Sequence, residues 1–81
     1  MPTILRIDGH RFFFYSRETH EPPHIHVQTA EKAAKFWLDP VALARSVGYN
    51  QSELGQIYAL VEQNQTLLLE KWHEYFGTAN F

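Results

Sequence analysis

The apolar residues of this chain change their spacing at Asp39-Pro40. Before that dipeptide, apolar and polar residues alternate, as in His24-Ile25-His26-Val27-Gln28, and such alternation is typical of strands with one buried face. After it, apolar residues recur at helical spacing from Leu54 to Phe76, which is typical of an amphipathic helix. Because a chain of 81 residues is long enough for one core only, we predict a single α+β domain over residues 1–81.

Four strands are predicted to form a mainly antiparallel sheet. Asp8-Gly9 readily supplies the positive φ angles of a tight hairpin turn between the first two strands. The link between the third and fourth strands is short, which favours a second hairpin. The predicted strands cover about residues 3–7, 11–16, 24–28 and 34–38.

Two helices are predicted to follow the sheet. Asp39 suits an N-cap and Pro40 the first helical position, so residues 40–47 are expected to form a short helix that stops at Gly48. Asn50 and Glu53 have the spacing of a capping box. They precede a long C-terminal helix of about residues 51–76, packed on one face of the sheet. The other face is then wet or covered by another chain.

The composition excludes several classes of protein. The chain has no cysteine, which excludes disulfides, zinc fingers and thiol nucleophiles. A net charge of −2 argues against bulk affinity for nucleic acid. No apolar run approaches the roughly 20 residues of a membrane span, and no Gly-rich phosphate loop, G-x-S-x-G or H-E-x-x-H motif is present. We therefore expect a cytoplasmic protein with no cofactor and no membrane contact.

His24 and His26 are the first candidates for chemistry. Alternation on a strand places their side chains on one side of the sheet, about 6.5–7 Å apart at Cα. The pair could ligate a divalent metal with Glu21 as third ligand, could act as an acid and a base around a phosphate with Tyr15 orienting it, or could bind an anion. They could equally be polar residues of a sheet face or an interface. The residues leave these alternatives open, and we assign no metal.

A mildly basic half of the chain surrounds the histidines. Of the seven Lys and Arg residues in the whole chain, six fall within residues 1–45, which suggests an anion-facing surface there. Trp37 could stack on a base, although such aromatics are more often core or interface residues. The candidate binding residues are Arg11, Arg17, Glu21, Lys35 and Trp37.

Several strings of the sequence are similar to one bacterial family. They are Met1 to Ile7, Arg11 to Ser16, Glu21-Pro22-Pro23-His24-Ile25-His26-Val27, Ala34 to Val41 and Trp72 to Gly77. On these residues the chain resembles the domain-of-unknown-function 4160 family over nearly its whole length. The resemblance implies a small protein encoded beside a second small protein, in an arrangement like a toxin–antitoxin pair. It carries over no catalytic residues.

Two hypotheses about function follow. The leading one is a toxin-like component of a bacterial two-protein module that acts on RNA through the histidine-bearing sheet face. In that case His24 and His26 exchange protons with RNA and the basic residues offset phosphate charge. The rival is a non-catalytic module that docks its small cognate partner, or a second copy of itself, through that face and the long helix.

Overall fold

The computed structural model describes residues 3–15 and 20–77. The elements in chain order are β1 (Thr3–Ile7), β2 (His10–Phe13), β3 (His24–Thr29), β4 (Lys32–Leu38), β5 (Val41–Val47), α1 (Gln51–Gln63) and α2 (Gln65–Phe76). All the strands join one antiparallel sheet, in which each strand pairs with its neighbour in the chain. The predicted α+β class is confirmed.

Tight turns of two residues form the predicted hairpins. Asp8 and Gly9 join β1 to β2 with φ angles of 52° and 81°, which confirms the turn predicted from that dipeptide. Ala30, with a φ of 54°, lies in the turn between β3 and β4, where Thr29 pairs with Lys32. The second predicted hairpin is therefore also present.

The prediction of a short helix over residues 40–47 is wrong, because this segment is strand β5. Asp39-Pro40 does not begin a helix but turns the chain between β4 and β5, where Leu38 pairs with Val41. A register shift in the β4–β5 pairing leaves Ala44 as an extra residue, so the alternation along β5 is broken at its middle. An interrupted alternation over seven residues resembles the apolar spacing of a short helix. Pairing with β4 makes the segment a strand instead.

The predicted long helix is two helices, which meet at Asn64. The Asn64 N–H is shared between the carbonyls of Leu60 (3.1 Å) and Val61 (3.2 Å), and its side-chain Nδ2 also donates to Leu60 O (2.8 Å). Gln65 Nε2 donates to Leu38 O of the sheet at 2.7 Å. Asn64 and Gln65, two polar residues within the predicted long helix, therefore mark the junction between α1 and α2. The predicted capping box, formed by the residue before α1 and its third residue, is confirmed.

The core lies between the two helices and one face of the sheet. Each helix contributes two buried residues at a spacing of four, Ile57 with Val61 and Leu68 with Trp72. Burying a side chain of this size contributes about 1.5–3 kcal/mol relative to leaving it exposed. The strand residues of this core cluster are Phe12, Ile25, Val27, Ala34, Phe36 and Leu38, and Phe14, directly after β2, also belongs to it.

The opposite sheet face was expected to be wet or covered by another chain, and the protein's own side chains bury part of it. His24, His26 and Lys35 project from it, and their exposed fractions are 0%, 7% and 9%. Aromatic rings surround His24 and His26, which accounts for part of this burial. The polar groups of this face are therefore held inside the protein and reach its surface over a limited area.

Candidate functional site

His24 and His26 lie side by side on β3. Their ring centroids are 5.1 Å apart and the ring planes are nearly perpendicular, at 88°. In the sheet they stand opposite Trp37 and Lys35 of β4, respectively. Period-two alternation thus brings the two imidazoles together, as the sequence indicated.

The two histidines have different surroundings. His24 is fully buried, with its ring centroid 5.0 Å from Trp72 of α2 and 5.8 Å from Trp37. Its Nδ1 lies 2.9 Å from Pro22 O, and since a carbonyl can only accept, Nδ1 must carry the proton of this hydrogen bond. A neutral His24 then has its lone pair on Nε2.

His26 is packed among aromatic rings at the boundary with solvent. Phe13 stacks on it with a centroid distance of 5.6 Å and an interplanar angle of 27°. Tyr15 meets it edge to face at 4.4 Å. Arg11 extends this row, because its guanidinium lies 4.4 Å from the Phe13 centroid. The Arg11 Nε also donates to Thr3 Oγ1 at 2.8 Å.

The Lys35 ammonium is paired with a carboxylate. Lys35 Nζ donates to Glu21 Oε1 at 2.6 Å and lies 4.7 Å from the Trp37 centroid. The same Glu21 oxygen is 3.7 Å from His24 Nδ1, and Glu21 Oε2 is 3.9 Å from His20 Nε2. Glu21 is therefore the anion around which the neighbouring cationic and imidazole groups are arranged.

A cleft of about 250 Å³ opens on this face beside β5. We call it the sheet-face cleft. It is lined by Tyr15, His26, Ala33, Ala34, Lys35, Arg45, Ser46 and Val47. Arg45 stands directly opposite Lys35 in the β4–β5 pairing and is exposed. Its side chain has no hydrogen bond or ion pair with any residue in 3–15 or 20–77.

The structure brings together some of the residues predicted from the sequence and separates others. Tyr15, His26 and Lys35 line the sheet-face cleft, whereas His24 and Trp37 pack against each other beside it. Glu21 reaches the cleft only through Lys35. Arg17 lies outside the described residues.

The sequence reasoning missed Arg45, Ser46 and Val47. The predicted helix over residues 40–47 does not place them on the sheet face. The signal that could have found them was the spacing of two between Arg45 and Val47, which places both on the face of Lys35 once residues 41–47 are a strand.

The metal hypothesis gains no ligand set from the structure. Among residues 3–15 and 20–77, no group of three or more His, Cys, Asp and Glu side chains could hold a metal ion. Glu21, the third ligand in the metal hypothesis, binds the Lys35 ammonium instead. In the same part of the chain, neither helix has the length and apolar character needed to cross a membrane.

A second polar cluster lies at the opposite end of β3 and β4. His10 Nδ1 lies 2.6 Å from Thr29 Oγ1, and the Thr29 hydroxyl donates to Gly9 O at 3.1 Å. Lys32 Nζ donates to Glu53 Oε2 at 2.5 Å. The hydrogen bonds from Lys32 and from the Asn50 N–H hold the pKa of Glu53 below its usual value, because both favour the charged carboxylate.

The fold and the cleft define a small α+β protein that has one antiparallel sheet, with helices on one face and a polar cleft on the other. The chain belongs to the DUF4160 family, a domain of unknown function, whose family model matches residues 9–73. This confirms the resemblance found in the sequence. Searches among curated proteins and among solved structures find no match.

Proposed function

We propose that this protein is a toxin-like component of a bacterial two-protein module and that it acts on RNA through the sheet-face cleft. The observation that carries the proposal is the composition of the cleft, in which Arg45, His26 and Tyr15 line one opening. A cation, an imidazole and an aromatic ring are the groups that contact phosphate, exchange protons and stack on bases. The two-protein arrangement rests on what the family resemblance implies.

The two histidines have different roles in this proposal. His26 borders the cleft and is the residue that exchanges a proton with bound RNA. His24 is fully buried and does not touch a ligand in this conformation. It acts as a positioning residue, because its ring contacts both His26 and Trp37.

Expression of the chain without its small partner should arrest bacterial growth. Arg45→Gln and His26→Gln should each relieve the arrest, because one removes the phosphate contact and the other the proton exchange. Arg6→Gln is the matched control, since it removes the same charge from an exposed β1 position outside the cleft. Circular dichroism of each variant separates loss of action from loss of folding. Unimpaired growth under strong expression of the unchanged chain would contradict the proposal.

A second candidate function is docking of a partner strand, favoured by the edge strand β5. Val47 is 68% exposed and Leu43 43% exposed on this strand, and β5 has a neighbour on one side only. An edge strand offers unpaired backbone groups to which an extended segment can add. The expected occupant is a strand of the small cognate partner.

Val47→Lys should weaken that association, because it places a charge within the apolar part of the edge. The measurement is co-purification of the co-expressed partner, followed by sizing chromatography. Thr3→Lys adds the same charge at the opposite edge of the sheet and should leave the complex intact. Equal recovery of the partner with both variants excludes β5 as the docking strand.

A further inference from the structure

We infer that the sheet-face cleft binds one nucleotide of a single-stranded RNA, with the phosphate at Arg45 and the base against the ring of Tyr15. The inference deepens the proposed function and rests on it for the kind of polymer involved. It names which groups of the cleft contact which part of the ligand, and it excludes duplex RNA as the preferred form.

Of two neighbouring cations on this face, one is paired with a carboxylate and the other is not. Lys35 and Arg45 stand directly opposite each other in an antiparallel pair, where like charges repel. The Lys35 ammonium is neutralised by Glu21 at 2.6 Å, whereas Arg45 has no carboxylate partner among the described residues. Arg45 is therefore the cation of the cleft that remains open to an anion.

The chemistry of Arg45 points to phosphate. A guanidinium offers a planar fork of N–H donors that matches two oxygens of a phosphate group. Ser46 also lines the cleft, and its hydroxyl is a further donor to such an oxygen. An anion bound here would offset the charge of Arg45, which Glu21 does not neutralise as it does that of Lys35.

Tyr15 is partly exposed, although other rings hold its side chain in place. Its side chain is among the exposed large hydrophobic ones, at 43%, yet its ring is held by edge-to-face contacts with His26 at 4.4 Å and Phe13 at 5.2 Å. These contacts hold the ring in place, and the exposed part of the side chain is open to a stacking base. A fixed aromatic at the wall of a cationic cleft is the arrangement that binds unpaired bases.

The size of the cleft also limits its ligand. Its volume of about 250 Å³ is below the 300–1,000 Å³ or so of pockets that enclose drug-sized ligands. A cleft of this size favours one small ligand unit over a base pair. Because a duplex keeps its bases stacked inside, only an unpaired nucleotide can bring its base to Tyr15 while its phosphate reaches Arg45.

The experiment is a titration of ¹⁵N-labelled full-length protein followed by NMR. The probes are 5′-AMP, adenosine, inorganic phosphate, hexa-adenylate and a short RNA duplex. We expect 5′-AMP and hexa-adenylate to shift the amides of β5 and the start of β4. Arg45→Gln should weaken both by about tenfold, since it removes a charge-assisted hydrogen bond. Tyr15→Leu should weaken both by a similar factor through lost stacking.

The controls decide between the outcomes. Arg6→Gln should bind as the unchanged protein does, and duplex RNA should bind less tightly than hexa-adenylate. Equal binding of phosphate and 5′-AMP, with no effect of Tyr15→Leu, would overturn the assignment of the base. The absence of any shift at β5 with 5′-AMP and hexa-adenylate would overturn the inference as a whole.

This result is separable from that of the growth experiment. If the nucleotides bind at the cleft but expression causes no arrest, the inference holds and the proposed function fails. If expression causes arrest and no nucleotide binds at the cleft, the toxin-like role holds without the cleft as its site, and the inference fails.

Discussion

Glu53 connects three parts of the molecule through one carboxylate. Its Oε1 accepts from the Asn50 N–H at 2.9 Å, which caps α1, and its Oε2 accepts from Lys32 Nζ at 2.5 Å, at the start of β4. The helix is therefore tied to the hairpin between β3 and β4 by a charged hydrogen bond. Such a bond depends on the ionisation of the carboxyl group, so its contribution to stability depends on pH.

We predict that Glu53→Gln lowers the free energy of unfolding at pH 7 and that this effect disappears in acid. The folded-state pKa of Glu53 is lowered, first by the Lys32 hydrogen bond and then by that of Asn50. A lowered pKa stabilises the fold above the unfolded-state pKa, and the stabilisation is lost as the pH falls through the folded-state pKa. Urea unfolding at pH 7, 5 and 3 measures the effect.

Glu62→Gln is the control for that measurement, because Glu62 is an exposed residue of the same helix without these hydrogen bonds. Its effect should stay small and nearly constant with pH. A Glu53→Gln effect that persists unchanged at pH 3 would show that the ion pair with Lys32 is not its cause.

The sequence predicted which candidate residues lie together better than it predicted the partners of each. Tyr15, His26 and Lys35 were chosen for their chemistry and alternation, and they line one cleft. The pairing of Lys35 with Glu21 could not be predicted, because 14 residues separate them and only the folded chain brings Glu21 back over β4. Arg45 was missed because its segment was assigned to the wrong element.

The elements were predicted where local signals agreed with the final packing. Asp8-Gly9 and the capping box at Asn50 are complete within a few residues, and both were found as predicted. Strand β5 was not predicted. It is defined by its pairing with β4 and by the extra residue Ala44, and a pattern of seven residues does not reveal such contacts. The helix junction at Asn64 was visible only as a polar interruption, which by itself does not end a helix.

Two glycines of the helical half should respond to alanine in opposite directions. Gly55 lies in the middle of α1 with open space where a Cβ would project, whereas Gly77 ends α2 with a φ of +66°. Gly55→Ala should stabilise the protein by roughly 0.5–1 kcal/mol because it restricts the unfolded chain. Gly77→Ala should destabilise it by about 1–2 kcal/mol because a Cβ is strained at that φ.

Urea unfolding of both variants under one set of conditions measures the difference. Each substitution adds the same methyl group to a helix, so each serves as the control for the other. A shift of both midpoints in the same direction would mean that helix propensity, rather than backbone conformation, determines the response.

The whole molecule is a meander of strands followed by a covering pair of helices. Each strand pairs with the next in the chain, and the helices then close one face with Ile57, Val61, Leu68 and Trp72. The change of period along the sequence predicted this order, although it placed the change one strand too early. This order of strands leaves β1 and β5 at the two edges of the sheet, and the sheet-face cleft lies next to β5.

The burial of the Lys35 side chain gives the three lysines of the chain unequal chemical accessibility. The Lys32 and Lys71 side chains are 40% and 44% exposed, whereas that of Lys35 is 11% exposed and bound to Glu21. An amine-acylating reagent can therefore reach Lys32 and Lys71 while the protein is folded, and can reach Lys35 only after the groups that bury its side chain have moved away. Mass spectrometry of the acylated peptides would thus measure how quickly the region around Lys35 and Glu21 opens.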